Sequence, residues 1–536
     1  MASSDEGAVP AAQPSKYCRE RLQEVSAPYV ISPNLFEAYR SAAAEQPGRP
    51  AEEIRLWVIV ELNLDDQGGR RGAHDRIAHL VSAIIEAGDG AEMKPADSSR
   101  HHIFARLSLG ELRELVRVDS QDAKGDERAP AIFKVWPDRQ LEAYLDRSVR
   151  IIKADACLRS FGADGDGIVW AVADSGIDGH HPHFAHHKNL ELPPVGRPPA
   201  RSGRPGRHAP LNHRDFTTSR EKPLTDGFGH GTHVAGIIAG SMPGDSTGAT
   251  KVFRIVRERN EHDQVRHHVK RCEKPFGAVA PKAKVVSLKV LDDDGTGQES
   301  ALLSAIDYVS RVNDDGRWPR IHGMNISLGY PFDAEWFAAG QSPLCVAVNR
   351  LVKQGVAVVV AAGNDGSALI VMESSPAGRR IGMDQSITDP GNADGAITVG
   401  STHPEQPHTY GISYFSSRGP TADGRQKPDL VAPGEHILSA ASPGSIERLK
   451  VKDPGLRTNP ELNDGTAAFY RQESGTSMAA PHVSGAIAAF LSVRPEFIGQ
   501  PERVKEILMT SATDLRRRCD FQGAGLLDLL RAIQSV

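Results

Sequence analysis

Five short segments set the tightest limit on how this 536-residue chain can fold. IVWAVA (168–173), VVSLKVL (285–291), GMNISLG (323–329), VAVVVAAG (356–363) and AITVGS (396–401) are apolar along most of their length. A strand buried on one face alternates apolar with polar residues. A strand buried on both faces reads as a near-continuous apolar run, the condition inside a parallel sheet covered by helices on each side. Helical segments fall between these runs, at His230–Ala239, Ser300–Val312, Cys345–Gln354 and Ser477–Val493. That order implies a three-layer α/β domain with ligand sites beyond the carboxyl ends of its strands.

Upstream the pattern differs. Leu56–Leu64 reads as a strand, and Arg76–Ala87 has helical spacing with Ile77, Leu80, Ile84 and Ile85 on one face. His102–Leu107 reads as a second strand. Ser108, with Glu111 three residues on, has the form of a capping box before a helix through Leu115, and Ala131–Val135 gives a third strand. This β-α-β-α-β order suggests a small α+β domain over 55–145, ahead of the larger domain over 146–536. Residues 1–54, rich in Ala, Pro, Glu and Ser, are expected to form a poorly ordered tail. Two stretches read as inserts in the larger domain: 187–224, rich in Pro and Arg, and 241–275, strongly charged. Within the second, RERNEHDQVRHHVKR reads as a solvated helix.

The formal charge of -5 gives no reason to expect nucleic acid or an anionic membrane as partner. No apolar run approaches the roughly 20 residues that span a bilayer. Five scattered cysteines (Cys18, Cys157, Cys272, Cys345, Cys519) form no CxxC pair, which argues against a disulfide framework or thiolate metal site. The first residues lack both the basic start and the apolar stretch of a secretory signal. A cytoplasmic location is the resulting expectation.

Three stretches carry nucleophilic chemistry. Val172-Ala173-Asp174-Ser175-Gly176-Ile177-Asp178 is a strand ending in an acid and a Gly turn. Gly229-His230-Gly231-Thr232-His233-Val234-Ala235-Gly236 sets a His at a helix start, and Gly475-Thr476-Ser477-Met478-Ala479-Ala480-Pro481-His482 sets a Ser at another. Each alone has a plainer reading: a strand-to-turn acid, a metal-binding His pair, a turn with a helix cap. Together they supply an alcohol, an imidazole to take its proton and a carboxylate to hold that imidazole in one tautomer. Pro481 is assigned to the first helical turn, where its missing N–H costs little.

In this Asp…His…Ser order the three stretches resemble the signatures of subtilisin-like serine proteases, the subtilases of peptidase family S8. Phe415–Pro420, Lys427–Gly434 and Gly523–Asp528 match further family signatures, so the resemblance covers about residues 145 to 536. It implies a subtilisin-like α/β/α catalytic domain with a mostly parallel sheet. It also implies a serine endopeptidase that works through an acyl-enzyme, with polypeptides as substrates.

By the same resemblance Asp174, His230 and Ser477 form the catalytic triad, and Asn364, in Ala361-Ala362-Gly363-Asn364-Asp365-Gly366, is the oxyanion donor. Gly295-Thr296-Gly297 and Ser327-Leu328-Gly329 would sandwich the substrate backbone as an added strand, the glycines keeping the edges open. Ala361, Ala362 and Gly363 would line the primary specificity pocket. Residues 101–145 resemble the family's inhibitory propeptide, making the N-terminal domain an intramolecular inhibitor whose Leu141–Leu145 tail Ser477 could cut.

No cofactor is required by such chemistry. Calcium stabilises many relatives, but no acidic loop here has an alternating ligand pattern. Asp215 and Asp292–Asp294 are candidate contributors only, and no metal is assigned. A catalytically silent peptide-binding module would lack one of the reactive residues, all of which are present. An esterase with a nucleophile elbow would carry GxSxG around the serine, which is absent.

Overall fold

The computed structural model describes residues 30–45, 53–63, 68–87, 91–94, 102–125, 130–137, 146–194, 209–218, 221–243, 251–259, 265–272, 276–332, 335, 338–372, 375–465 and 467–536. The chain divides into two compact units, Met1–Ala143 and Tyr144–Val536.

The first unit comprises α1 (Pro33–Glu45), β1 (Arg55–Leu62), α2 (Gly69–Ala87), β2 (Glu92–Met93), β3 (His102–Ser108), α3 (Leu109–Gly125) and β4 (Ile132–Pro137). Its antiparallel sheet runs β2-β3-β1-β4. Val58, Val60 and Leu62, two apart on β1, enter one core with Ile77 and Val81 of α2 and Leu112 and Leu115 of α3. The Ser108–Glu111 pair forms the anticipated capping box: Glu111 N donates to Ser108 Oγ at 3.2 Å and Ser108 N to Glu111 Oε2 at 2.7 Å. Residues 30–45 depart from the expected loose tail. Leu35 and Tyr39, four apart on α1, are fully buried, and Tyr39 Oη donates to Leu107 O at 2.6 Å. Pro33 opens that helix, and the Leu–Tyr spacing gives it one apolar stripe to bury.

The second unit opens with α4 (Asp146–Ile151), α5 (Ala154–Phe161), β5 (Val169–Asp174), β6 (Arg214–Asp215) and α6 (His230–Ile238). Next come β7 (Val252–Arg259), β8 (Val265–Arg271), β9 (Lys284–Lys289), α7 (Glu299–Val312), β10 (Gly323–Ile326), α8 (Pro343–Lys353) and β11 (Ala357–Ala361). They are followed by β12 (Ser367–Met372), β13 (Ser375–Gly382), β14 (Ile397–Thr402), α9 (Pro407–Tyr410), β15 (Leu430–Pro433), β16 (Ile437–Ala440), α10 (Pro443–Lys452) and β17 (Ala468–Glu473). The chain closes with α11 (Thr476–Val493), α12 (Pro501–Ser511), α13 (Cys519–Gln522) and α14 (Leu529–Gln534).

Seven strands in the order β15-β14-β11-β10-β5-β9-β6, all parallel, make the central sheet. Its apolar runs have the predicted cause. Trp170 and Val172 of β5, with Ala357 and Val359 of β11, pack on the α6, α11 and α12 side. Val169, Ala171 and Ala173, with Val358 and Val360, pack on the α7 and α8 side. Both faces are covered, so neither set can be polar. The fold is therefore three-layer α/β/α. Helix α11, apolar and long enough to span a bilayer by composition, is the buried core helix of this arrangement.

Where the insert at 241–275 is described, strand stands in place of the expected helix. Strands β7 and β8 make an antiparallel hairpin that joins a second sheet in the order β16-β17-β7-β8. Val252, Phe253, Ile255 and Val256 of β7 are buried. The pairing of β7 with β17, more than 200 residues away, overrides local helical propensity.

Candidate active site

Parallel strands deliver their carboxyl ends to one edge of the sheet, and the predicted residues gather there. Asp174 is the last residue of β5, Ser327 follows β10 directly, and Asn364 lies three residues past β11. His230 is the first residue of α6 and Ser477 the second of α11, so both sit at the positive end of a helix dipole.

Asp174 is buried and His230 partly exposed, with His230 Nδ1 donating to Asp174 Oδ1 at 2.8 Å. The same carboxylate oxygen accepts from Ser175 N at 2.8 Å. Burial pulls the His230 pKa down, but the charge and hydrogen bond of Asp174, with smaller contributions from Glu473 and Asp226, hold it above its ordinary value. His233, the other half of the apparent metal pair, is fully buried with Nε2 against the carbonyls of Ile437 and Arg471, both at 3.0 Å. Burial pushes its pKa well down, so it is a neutral donor bridging β16 and β17.

The sequence reading missed Asp226. Its buried carboxylate accepts from Gly229 N at 2.6 Å, Thr232 N at 2.8 Å, Thr232 Oγ1 at 2.6 Å and Ser175 Oγ at 2.8 Å. It thus satisfies the orphan donors at the start of α6 and anchors the residue after Asp174. Burial raises its pKa against those hydrogen bonds. An Asp four residues ahead of a helix-opening His is the signal that would have revealed this positioning residue.

Ser477 and Asn364 open on a cleft of about 550 Å³, with Gly295–Gly297 along one wall and Ser327–Gly329 along the other. Asn364 Oδ1 accepts from Thr476 N at 3.0 Å and from Thr476 Oγ1 at 3.2 Å, which fixes the amide. Ala361 and Gly363 line the cleft. Ala362, predicted beside them, does not: it is fully buried between β14 and Thr388, because alternate residues of an extended chain face opposite ways.

The wall glycines answer first to their own chain. A Cβ on Gly295 would stand 2.5 Å from the Phe228 ring, and one on Gly329 2.5 Å from Asp389 O. Internal crowding, more than access for an incoming strand, excludes side chains there.

Ser327 and Ser477 exchange hydrogen bonds. Ser477 Oγ donates to Ser327 O at 2.9 Å, and Ser327 Oγ donates to Ser477 O at 3.0 Å. The second bond explains Pro481, which lies at the sixth position of α11 and not in its first turn. Lacking N–H, Pro481 leaves the carbonyl four residues back, that of Ser477, without its helical donor. Ser327 Oγ fills the vacancy and is itself held by Asn325 Nδ2 at 2.9 Å, while Ser484 Oγ donates to Asn325 Oδ1 at 2.8 Å.

The acids considered for calcium are engaged elsewhere. Asp215 accepts from Thr217 and Lys222, Asp292 from Thr296, Asp293 pairs with Lys289 at 2.6 Å and Asp294 with Arg448 at 3.1 Å. Among the described residues no group of three or more His, Cys, Asp or Glu side chains is arranged to hold a metal ion.

Comparison with known proteins gives the family of the second unit. The model described as the subtilase family matches residues 165–526. Serine protease AprX of Bacillus subtilis is 29% identical over 462 residues, covering 85% of this chain and 82% of its own. Subtilisin E of the same organism is 28% identical over 420 residues, covering 78% of this chain and 79% of its own. Cerevisin of Saccharomyces cerevisiae is 28% identical over 365 residues, 65% of this chain and 39% of its own.

Proposed function

Because this chain belongs to the subtilase family, and is therefore a serine-type endopeptidase, we propose that Ser477 is its nucleophile, His230 its general base and Asp174 the group that orients and stabilises His230. The observation that carries this reading is the 2.8 Å bond between Asp174 Oδ1 and His230 Nδ1. It occupies Nδ1 as a donor and leaves Nε2 as the free base.

A peptide lying between Gly295–Gly297 and Ser327–Gly329 presents its scissile carbonyl to Ser477. The hydroxyl leaves Ser327 O and turns to His230 Nε2, which takes its proton as Oγ attacks. The Asn364 side-chain amide and the Ser477 N–H stabilise the oxygen that becomes anionic only in the tetrahedral state. His230 then protonates the departing amine, leaving an ester on Ser477. Water, activated by the same imidazole, hydrolyses that ester. We also infer that the N-terminal unit is an intramolecular inhibitor; its Leu141–Leu145 tail lies outside the described residues.

A fluorophosphonate probe tests the core of the reading. Wild type should be labelled and should cleave a peptide library, and Ser477→Ala should do neither. Labelling that survives in Ser477→Ala would reject Ser477 as nucleophile.

A further inference from the structure

His230, which does not line the Ser477 cleft, lines a second cavity of about 700 Å³. Phe228 and His230 line it together with residues of β7 and β8, of α10 and of the end of β17. Five of its lining side chains are cations: Arg257, Arg266, Arg448, Lys452 and Arg471. Two are carboxylates, and both are already engaged. Glu473 pairs with Arg471 at 2.5 Å, and Asp453 accepts from the His267 backbone N and from His267 Nδ1, each at 3.1 Å.

The cations are less completely satisfied. Arg448 is tied to Asp294 at 3.1 Å and stacks over Phe228 at 5.2 Å. Arg257, Arg266 and Lys452 are exposed and form no ion pair with an acid among the described residues. Arg471 keeps a buried Nε without a hydrogen-bond partner. Among the described residues the cavity therefore carries more cationic than anionic side chains, in a chain whose overall charge is -5.

Its position says which part of a substrate would meet that charge. The half of the peptide that becomes the acyl group lies in the Ser477 cleft. The other half departs as an amine that takes its proton from His230, so the chain beyond the cut leaves past His230, where this cavity begins. We propose that the second cavity is a leaving-side specificity site that selects polypeptides bearing acidic residues within the first few positions after the scissile bond. The hairpin at 252–271, an addition to the sheet with no other assigned role, is then the wall that brings Arg257 to the substrate. This inference rests on the proposed triad, since His230 defines the leaving side.

The test uses the wild-type chain, incubated until any N-terminal processing is complete, and matched fluorogenic peptides. They carry Glu, Ala or Lys at the second and third positions after the cut and are made with either free or amidated C-termini. At about 50 mM salt kcat/KM should favour Glu over Lys by roughly tenfold, shrinking severalfold at about 500 mM as the charges are screened. The double variant Arg257→Glu/Lys452→Glu should invert the order, favouring Lys.

Equal rates for the three peptides in wild type, or an unchanged order in the double variant, would overturn the inference while leaving the endopeptidase intact. A preference seen only with free C-termini would reassign the cavity to a terminal carboxylate. Inhibition by short oligonucleotides without any peptide preference would reassign it to nucleic acid. Absence of both cleavage and fluorophosphonate labelling would bring down this inference and the proposed triad together.

Discussion

His230 concentrates the opposing forces on this site. Burial favours the neutral imidazole, while Asp174, Glu473 and Asp226 favour the charged one, and the carboxylates prevail. As a general base His230 must be neutral, so kcat/KM should rise with pH through a midpoint above the ordinary histidine value of 6.5. Asp174→Asn removes the largest upward influence, so the acid limb should move to lower pH even as kcat falls. The stability sign follows from the same shift. A folded-state pKa above the unfolded one stabilises below the unfolded value and stops doing so as pH rises through the folded value. The Tm gap between wild type and Asp174→Asn should therefore be wider at about pH 5 than at about pH 9. Rate profiles and melting curves across that range check both, and an acid limb that stays in place would contradict this account of His230. Asn364 makes a separate prediction. Loss of one hydrogen bond to a developing charge is worth about 1.5–3 kcal/mol, so Asn364→Ala should lower kcat by roughly 10–150-fold with little change in KM.

Among the elements, α11 shows how one irregular residue organises a site. Pro481 removes a helical hydrogen bond, and the released Ser477 carbonyl is held by Ser327, which binds the helix start to the end of β10. Ser327→Ala should cost about 1–3 kcal/mol by stranding that carbonyl and Asn325 Nδ2. Adding Pro481→Ala restores a backbone N–H four residues on, so the double variant should be less destabilised than the two singles summed, by about 0.5–3 kcal/mol. Denaturant melts of the four proteins measure the coupling, and simple additivity would remove Pro481 from this role. The Ser477 segment was legible in sequence because its residue types are chemically demanding, but the place of Pro481 was not, because the hydroxyl that replaces its missing donor comes from Ser327, 150 residues from Ser477. The apolar strands were legible for a different reason: burial on both faces writes itself into every residue of β11 and every residue of β5 before Asp174. The β7–β8 hairpin was not legible, since VRHHVKR offers few apolar positions and its strand identity comes from distant β17. Helix α1 was hidden by composition, although Leu35 and Tyr39 carried its stripe. Asp226 was overlooked because its work is done through backbone donors that no motif displays.

Across the whole molecule, the two units have separate cores, one built on Val58, Val60 and Leu107 and the other around α11 and the parallel sheet. The division falls between Ala143 and Tyr144, within the Leu141–Leu145 stretch read as a cleavable tail. If Ser477 cuts that tail, the wild-type chain should convert to two fragments with a new N-terminus in or next to residues 138–145, and Ser477→Ala should remain intact. A cut made within one molecule proceeds at a rate independent of dilution, whereas one made by a neighbour slows in proportion to concentration. Inhibition by the N-terminal unit adds a second requirement: peptide-cleaving activity should rise in step with processing. Mass spectrometry, N-terminal sequencing and a parallel activity assay over time follow all three quantities. A wild-type chain that stays whole yet is fully active would make the N-terminal unit a permanent companion of the catalytic one. Cleavage that persists in Ser477→Ala would point to a different protease acting on the same segment.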